Sequence, residues 1–314
     1  MGNVHARQYA KMPDVEVAAF DLNQEKLAKY CEQWGVGAAT SLESLIAQAD
    51  VVDVCLPTDL HLPIGLQAIA AGKALFMEKP LASDVASCLQ LIEAADKAQT
   101  PFMPGQVVRF FPEFRSAHNL VVEGRIGTPA AARTRRGGKA PMGEGGWFKD
   151  FGRSGGILLD LAVHDFDWLR WTLGEVKHVC ARSVAHNHPE MTVDYALTTL
   201  SFDSGAVAHI EATWMDPAGG RVTFEVCGSG GMIEYDSRIA HSLRTSIDGG
   251  SVVESPLSPT DDPYYQQLRS FIDSVKNGTP PLVSGVDGLM AVSIACAAIE
   301  SAKTGRLVAP ARHI

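Results

Sequence analysis

The feature that most narrows the possible folds is an alternation, over residues 1–108, of short apolar runs with helical patterns. Val15 to Phe20, Val51 to Leu56, the Lys73–Pro80 octapeptide and Pro101 to Val108 read as strands. Between them, Gln24 to Trp34, Ser41 to Ala49, Leu60 to Ala71 and Asp84 to Gln99 read as helices, with Ser41 as a cap and Gly72 as a stop. Runs apolar at nearly every position need cover on both faces, which crossover helices provide. The expected fold class is therefore α/β, a doubly wound parallel sheet with right-handed crossovers.

Ala74-Leu75-Phe76-Met77 is the run on which the chemistry turns. Its charges are held back to Glu78-Lys79, and Pro80 cannot donate to a ladder and disfavours helix for the residue before it. Lys79 thus stands at a strand-to-loop corner on the edge where open α/β sheets bind ligands; the competing reading is an ordinary solvated lysine. Asp21 also ends a strand, about 20 residues after Gly2, the spacing at which a dinucleotide fold places an acid on the adenosine ribose. A carboxylate there repels a 2′-phosphate, which favours NAD over NADP. The competing reading is a turn Asp ahead of the helix cap Asn23.

After Val108 the pattern changes, so residues 1–108 and 109–314 are read as two domains. Pro112 to Glu123 is helical, and a glycine-rich stretch from Gly137 to Gly156 carrying Trp147 and Phe148 has the composition of a lid. Thr192 to Phe202, Ala206 to Trp214, Arg221 to Cys227 and Met232 to Tyr235 alternate as antiparallel strands, and helices from Tyr264 to Asn277 and Val286 to Lys303 close the chain. The second domain is expected to be α+β, built on a large, mostly antiparallel open sheet. Asp160, His164 and Asp167, at i, i+4 and i+7, are expected to form one polar stripe on an otherwise apolar helix. Buried carboxylates and imidazoles are costly unless they are paired or face a polar cavity, so the stripe lines a site or is a structural Asp–His pair. No metal is expected; His186 and His188, the one other close histidine pair, sit in a loop context.

With 27 basic against 36 acidic residues, the chain has a net charge of −9, which argues against nucleic-acid or anionic-membrane partners. The short Arg133/Arg135/Arg136 cluster is read as a strand edge or substrate rim. No apolar run is read as membrane-spanning. The six cysteines show no paired spacing, and several lie in apolar runs, so a reducing cytoplasm is the expected location.

Leu56-Pro57-Thr58-Asp59-Leu60-His61, Glu78-Lys79-Pro80 and the run Gly155-Gly156 to Asp160, His164 and Asp167 together resemble the Gfo/Idh/MocA family of nicotinamide-dependent sugar and polyol oxidoreductases. The resemblance spans nearly the whole chain. It implies a Rossmann domain, a C-terminal domain whose sheet makes a homodimer or homotetramer, a small sugar or polyol substrate, and a catalytic Lys, Asp and His falling on Lys79, Asp160 and His164. Gly2, Leu56, Pro57, Thr58, His61, Glu78 and Lys79 match cofactor-lining positions, and Gln106 lies where the next strand reaches the nicotinamide. In the chemistry of alcohol oxidation, His164 is the candidate base, Lys79 stabilises the alkoxide and Asp160 orients the hydroxyl or the imidazole. Arg109 and Trp147 are candidate substrate contacts, with a surface charge and a core aromatic as the alternatives.

An NAD-using glycosidase and a non-catalytic ligand-binding protein remain as other readings. Gly2 aligns with the third glycine of the fingerprint G-x-G-x-x-G. The family's first strand and two leading glycines, roughly ten residues in a Rossmann unit, have no counterpart before it. The expectation is weaker NAD binding than in a version extended upstream by an apolar strand ending in Gly-x-Gly.

Overall fold

A computed structural model of the chain describes all residues except 142, 186–193, 217–218, 240–241, 248–249, 255–261 and 313–314. The elements of its first part are α1 (Gly2–Tyr9), β1 (Ala18–Ala19), α2 (Gln24–Trp34), β2 (Gly37–Ala38), α3 (Leu42–Gln48), β3 (Val51–Val54), α4 (His61–Ala70), β4 (Ala74–Glu78), α5 (Val85–Ala98) and β5 (Phe102–Gly105). The caps are local and legible: Asn23 accepts from the Lys26 amide, Ser41 and Ser44 form a reciprocal capping box, and Asp84 accepts from the Ser87 amide. Strands β3, β4 and β5 pair in parallel, with Val51 opposite Ala74 and Glu78 opposite Gly105. β4 is buried along its whole length, as its apolar sequence requires. β1 and β2 pair with each other in parallel, and among the described residues neither pairs with β3. The parallel layer is thus in two pieces. The last expected strand is also shorter than its pattern, because the chain turns into a 3-10 segment from Val107 to Phe110.

The second part contains α6 (Pro112–Val122), β6 (Pro129–Gly137), α7 (Phe151–Ser154), α8 (Gly156–Asp160), α9 (Val163–Leu173), β7 (Val176–Val184), β8 (Tyr195–Phe202), β9 (Val207–Thr213), β10 (Arg221–Gly228), β11 (Gly231–Asp236), β12 (Leu243–Ile247), β13 (Gly250–Glu254), α10 (Pro263–Asn277) and α11 (Gly285–Thr304). Its eight strands run β13-β12-β11-β10-β6-β9-β8-β7, all antiparallel except β6 against β9. This is the large, mostly antiparallel sheet expected. β6 lies between β10 and β9, so the arginine cluster is central and not at an edge. Strand alternation divides that cluster: Arg133 and Arg135 pair with Glu225 and with Glu211 and Asp216, while Arg136 turns with the buried Thr134 toward the helices.

The two closing helices return to the first part. α10 sets Leu268 and Phe271 against Phe76 and Met103 of the parallel layer. α11 packs on α5, α9, β5 and β7, and glycine permits the approach: a Cβ on Gly288 would meet the Pro104 ring at 2.8 Å. α11 is also, by length and composition, apolar enough to cross a membrane, contrary to the expectation from the sequence. Its apolar surface is spent on this packing, with Ile294, Ala295 and Ala298 fully buried.

Candidate active site

The buried β4 ends in Glu78, and the following Lys79–Pro80 peptide is cis. Lys79 Nζ donates to the Asp160 backbone carbonyl at 2.8 Å and to its carboxylate Oδ1 at 3.1 Å, with the two side chains 17% and 10% exposed. A break in the helix makes the first of these bonds possible. The sequence suggested one continuous helix carrying Asp160, His164 and Asp167, but α8 stops at Asp160 and α9 begins at Val163. In an unbroken helix the Asp160 carbonyl would accept from the His164 amide. Here that amide turns to the Leu161 carbonyl at 3.4 Å and the Ala162 amide reaches back to Ile157 at 2.9 Å, leaving the Asp160 carbonyl to the lysine. Upstream, Gly155 starts α8 at φ +69°, where a Cβ would also strike Leu159.

The break also separates Asp160 from His164 and Asp167, which share α9. His164 Nδ1 is buried with no hydrogen-bond partner among the described residues. Burial, then the nearby Lys79 and Arg136 cations, holds the His164 pKa well below its ordinary value, so the imidazole is neutral near neutral pH. Arg136, part of the cluster that the sequence offered as a strand edge or substrate rim, is fixed by Asp165, its Nε donating to Oδ2 at 2.7 Å. Nothing in the local sequence joins β6 to α9, so its place beside His164 is a tertiary fact.

Asp167, three residues after His164 in α9, binds a different cation. Arg109 donates to it through Nε at 2.9 Å and Nη2 at 2.6 Å, and also pairs with Asp287 at 3.1 Å. Arg109 and Asp167 are 4% and 1% exposed. Arg109, which the sequence offered as a substrate contact, engages Nε and Nη2 in a buried ion pair that joins the 3-10 segment after β5 to α9 and α11. Trp147 is half-buried and stacks on Phe148 with ring centres 3.9 Å apart, in a segment where Gly143, Gly145 and Gly146 all have positive φ. His186 and His188 lie outside the described residues.

The residues assigned to the cofactor gather at the carboxyl edges of β1, β3, β4 and β5. Gly2 opens α1, whose first turn carries no acidic residue, and Asp21 is exposed just after β1. Leu56, Pro57 and the buried Thr58 form the turn after β3. His61 is buried with Nδ1 2.9 Å from the Pro80 carbonyl and Nε2 3.0 Å from the Leu56 carbonyl. With both nitrogens against backbone carbonyls, His61, which the resemblance offered as a cofactor-lining residue, bridges the β3 and β4 corners. Burial lowers its pKa despite the carbonyls around it. Glu78 accepts from the Lys79 amide at 3.1 Å. Gln106, one residue past β5, has both side-chain amide atoms buried and without a hydrogen-bond partner among the described residues. A buried primary amide left without partners fits an incoming group that both donates and accepts, as a nicotinamide carboxamide does.

Residues 1–106 match the model described as "Oxidoreductase family, NAD-binding Rossmann fold", and residues 114–234 match the "GFO/IDH/MocA C-terminal domain". Over 98% of its length and 95% of the relative's, the chain is 32% identical to the myo-inositol 2-dehydrogenase of Thermotoga maritima. It is 31% identical to the NAD(+) scyllo-inositol 2-dehydrogenase of Bacillus subtilis, over 82% of the chain and 76% of that protein. The crystal structure of a probable dehydrogenase from Thermotoga maritima superposes with a TM-score of 0.85 at 31% identity, covering 98% of this chain and 95% of that one. Two matched family models in the expected order and similarity to the Thermotoga maritima dehydrogenase over nearly its whole length, on a fold with Lys79 and Asp160 joined at the sheet edge, establish that the chain belongs to the Gfo/Idh/MocA family of oxidoreductases.

Proposed function

We propose that the protein moves a hydride between NAD and a secondary alcohol of an inositol or a related polyol or sugar, with Lys79, Asp160 and His164 as its catalytic residues. The observation that carries this reading is the Lys79 ammonium, bound twice by Asp160, beside a neutral imidazole whose Nδ1 has no partner among the described residues. The names of the inositol dehydrogenase relatives support the substrate class.

Bound NAD supplies the hydride acceptor. Gly2, the Leu56–Thr58 turn, Glu78 and Gln106 are the residues that would hold it, with residues 1–108 as the nucleotide-binding part and 109–314 bearing the substrate side. Asp21 would take the adenosine ribose and disfavour a 2′-phosphate. In alcohol oxidation His164 takes the hydroxyl proton, and its lowered pKa keeps it able to do so below the pH at which an ordinary histidine is protonated. Lys79 donates to the oxygen as negative charge develops on it, and Asp160 fixes the ammonium's direction from two oxygens. Ketone reduction uses the same groups in reverse, with Lys79 polarising the carbonyl.

A panel of inositol isomers, polyols and aldoses incubated with NAD, followed by NADH absorbance, tests the reading. Turnover on at least one cyclic polyol or sugar, lost in Lys79→Ala, is the expected outcome. Release of an aglycone from a glycoside without net NADH would replace it with transient oxidation.

A further inference from the structure

A second cluster of reactive side chains lies behind the sheet edge, formed where α1 crosses β3. Strand alternation puts Asp53 and Cys55 on one face of the chain through β3, and the helical repeat puts His5 and Tyr9 on one face of α1. His5 Nδ1 lies 2.7 Å from Asp53 Oδ2 and 3.2 Å from Cys55 Sγ, and Cys55 Sγ lies 3.5 Å from Asp53 Oδ1. All three donor atoms fall within 4.8 Å of one another.

The groups around the cluster are arranged as an outer shell. His5 Nε2 is 3.1 Å from Glu78 Oε1, so the ring's second nitrogen is held by a buried carboxylate while Nδ1 faces Asp53 and Cys55. That carboxylate–histidine pairing is how metal-binding imidazoles are usually oriented. Tyr9 donates to Asp53 Oδ2 at 3.0 Å, fixing the second donor. His5 is buried, while Cys55 and Asp53 are partly exposed, so an ion would have a way in and an open side.

From this arrangement we infer that His5, Asp53 and Cys55 form a binding site for a zinc-class divalent ion, with three protein ligands and a fourth position open to water. The donor set decides the class of ion. One imidazole nitrogen, one carboxylate oxygen and one thiolate suit borderline Zn²⁺ or Co²⁺, whereas Mg²⁺ and Ca²⁺ take oxygen ligands. With metal–ligand bonds of about 2.0–2.3 Å, a tetrahedral ion holds its ligands roughly 3.3–3.8 Å apart. The Nδ1–Oδ2 and Nδ1–Sγ separations lie below that range, so the imidazole needs only a small shift. Binding forms bonds to Nδ1, a carboxylate oxygen and Sγ and releases the thiol proton and any proton on Nδ1, so affinity rises with pH. The sequence concealed the site because its ligands come from two elements separated by more than forty positions and none of the usual ligand spacings joins them.

Cobalt titration of the full chain is the test, since a thiolate–Co²⁺ bond adds a charge-transfer absorption in the near ultraviolet. We expect saturation at one ion per chain, displacement by Zn²⁺, and a rise in thermal midpoint with Zn²⁺ alone. Cys55→Ser, which keeps the side-chain shape, should lose the charge-transfer band. Cys31→Ser should retain it, and Glu78→Gln should weaken binding about 10–100-fold, the usual effect of removing such an orienting group. Absence of the band in the unmutated chain, or its persistence in Cys55→Ser, would overturn the assignment. Tight Co²⁺ binding by a His5→Gln protein that keeps its native circular dichroism would do the same.

Discussion

Asp160 and Asp167 stand seven positions apart, and each binds a basic side chain, yet the two pairs do opposite things. Arg109–Asp167 is fully enclosed and bidentate, with Asp287 and Arg170 completing the network. Lys79–Asp160 is partly open, and half of its attachment is to a backbone carbonyl freed by the break between α8 and α9. Arg109 turns Nε and Nη2 to buried carboxylates in a planar fork, whereas an ammonium held by two oxygens keeps a third N–H for a substrate. The difference lies in the geometry of the cation and in exposure. Charge alone would not have separated them.

The largest effect that can break this comparison is on stability. Arg109→Met should cost about 3–5 kcal/mol in denaturant unfolding, because it leaves Asp167 charged and buried. Burial already pushes the Asp167 carboxyl above its ordinary value in spite of Arg109. Arg109→Met/Asp167→Leu should recover most of the loss, since an apolar pair of similar volume carries no desolvation cost. If the double variant loses all turnover while folding normally, Arg109 belongs to the site after all.

Next in size is the loss of chemistry. Lys79→Ala should lower kcat by about two to three powers of ten, the range for removing one aligned electrostatic group, with NAD binding retained in calorimetric titration. Here the paired replacement should fail to rescue: Lys79→Met/Asp160→Leu is expected to fold and to recover no turnover. Recovery would make Lys79–Asp160 a structural pair like the other.

How much of this contrast was legible in the sequence depended on range. Asn23, Ser41 and Asp84 announced their helices because capping is settled within three residues. Val51–Val54 and Ala74–Glu78 announced a covered parallel layer because an unbroken apolar run has no solvent face to offer. Lys79, Asp160 and His164 could be named from their motifs, but the helix break after Asp160 could not, since Leu161 and Ala162 are ordinary helix formers and the interruption is imposed by packing and by Lys79. The buried partners of Arg109 were hidden for the same reason: they are 58 and 178 positions away. The strand β2, only Gly37 and Ala38, is too short and too exposed to leave a pattern.

A smaller effect concerns the pH profile. The lowered His164 pKa means that the acid limb of kcat/KM for alcohol oxidation should fall below pH 6.5, histidine's ordinary value, and His164→Ala should abolish the limb along with most of the rate. A limb that survives in His164→Ala would move the base elsewhere. In Lys79→Ala the residual limb should shift to higher pH, because one of the cations that disfavour the imidazolium is gone.

The smallest expected effect gives each cation a histidine as its own reporter. His118 stacks on Trp171 with ring centres 3.4 Å apart, and the Arg109 guanidinium sits over the same indole, 5.2 Å from its centre. Burial first, and Arg109 second, lower the His118 pKa to about 4. Because the shift is downward, the unfolded chain binds a proton here that the folded chain refuses. The stability it contributes is present above pH 6.5 and is lost as pH falls toward 4. In Arg109→Met/Asp167→Leu the guanidinium is gone but the burial remains, so the His118 pKa should rise only part of the way back, measured by NMR titration of the ring protons. Lys79→Ala should leave His118 where it is and raise His164 instead. A His118 pKa that ignores the loss of Arg109 would remove His118 as that cation's reporter, and one that moves with Lys79 would mean that the two ion pairs are electrostatically continuous, so that the separation of a structural cation from a catalytic one would fail.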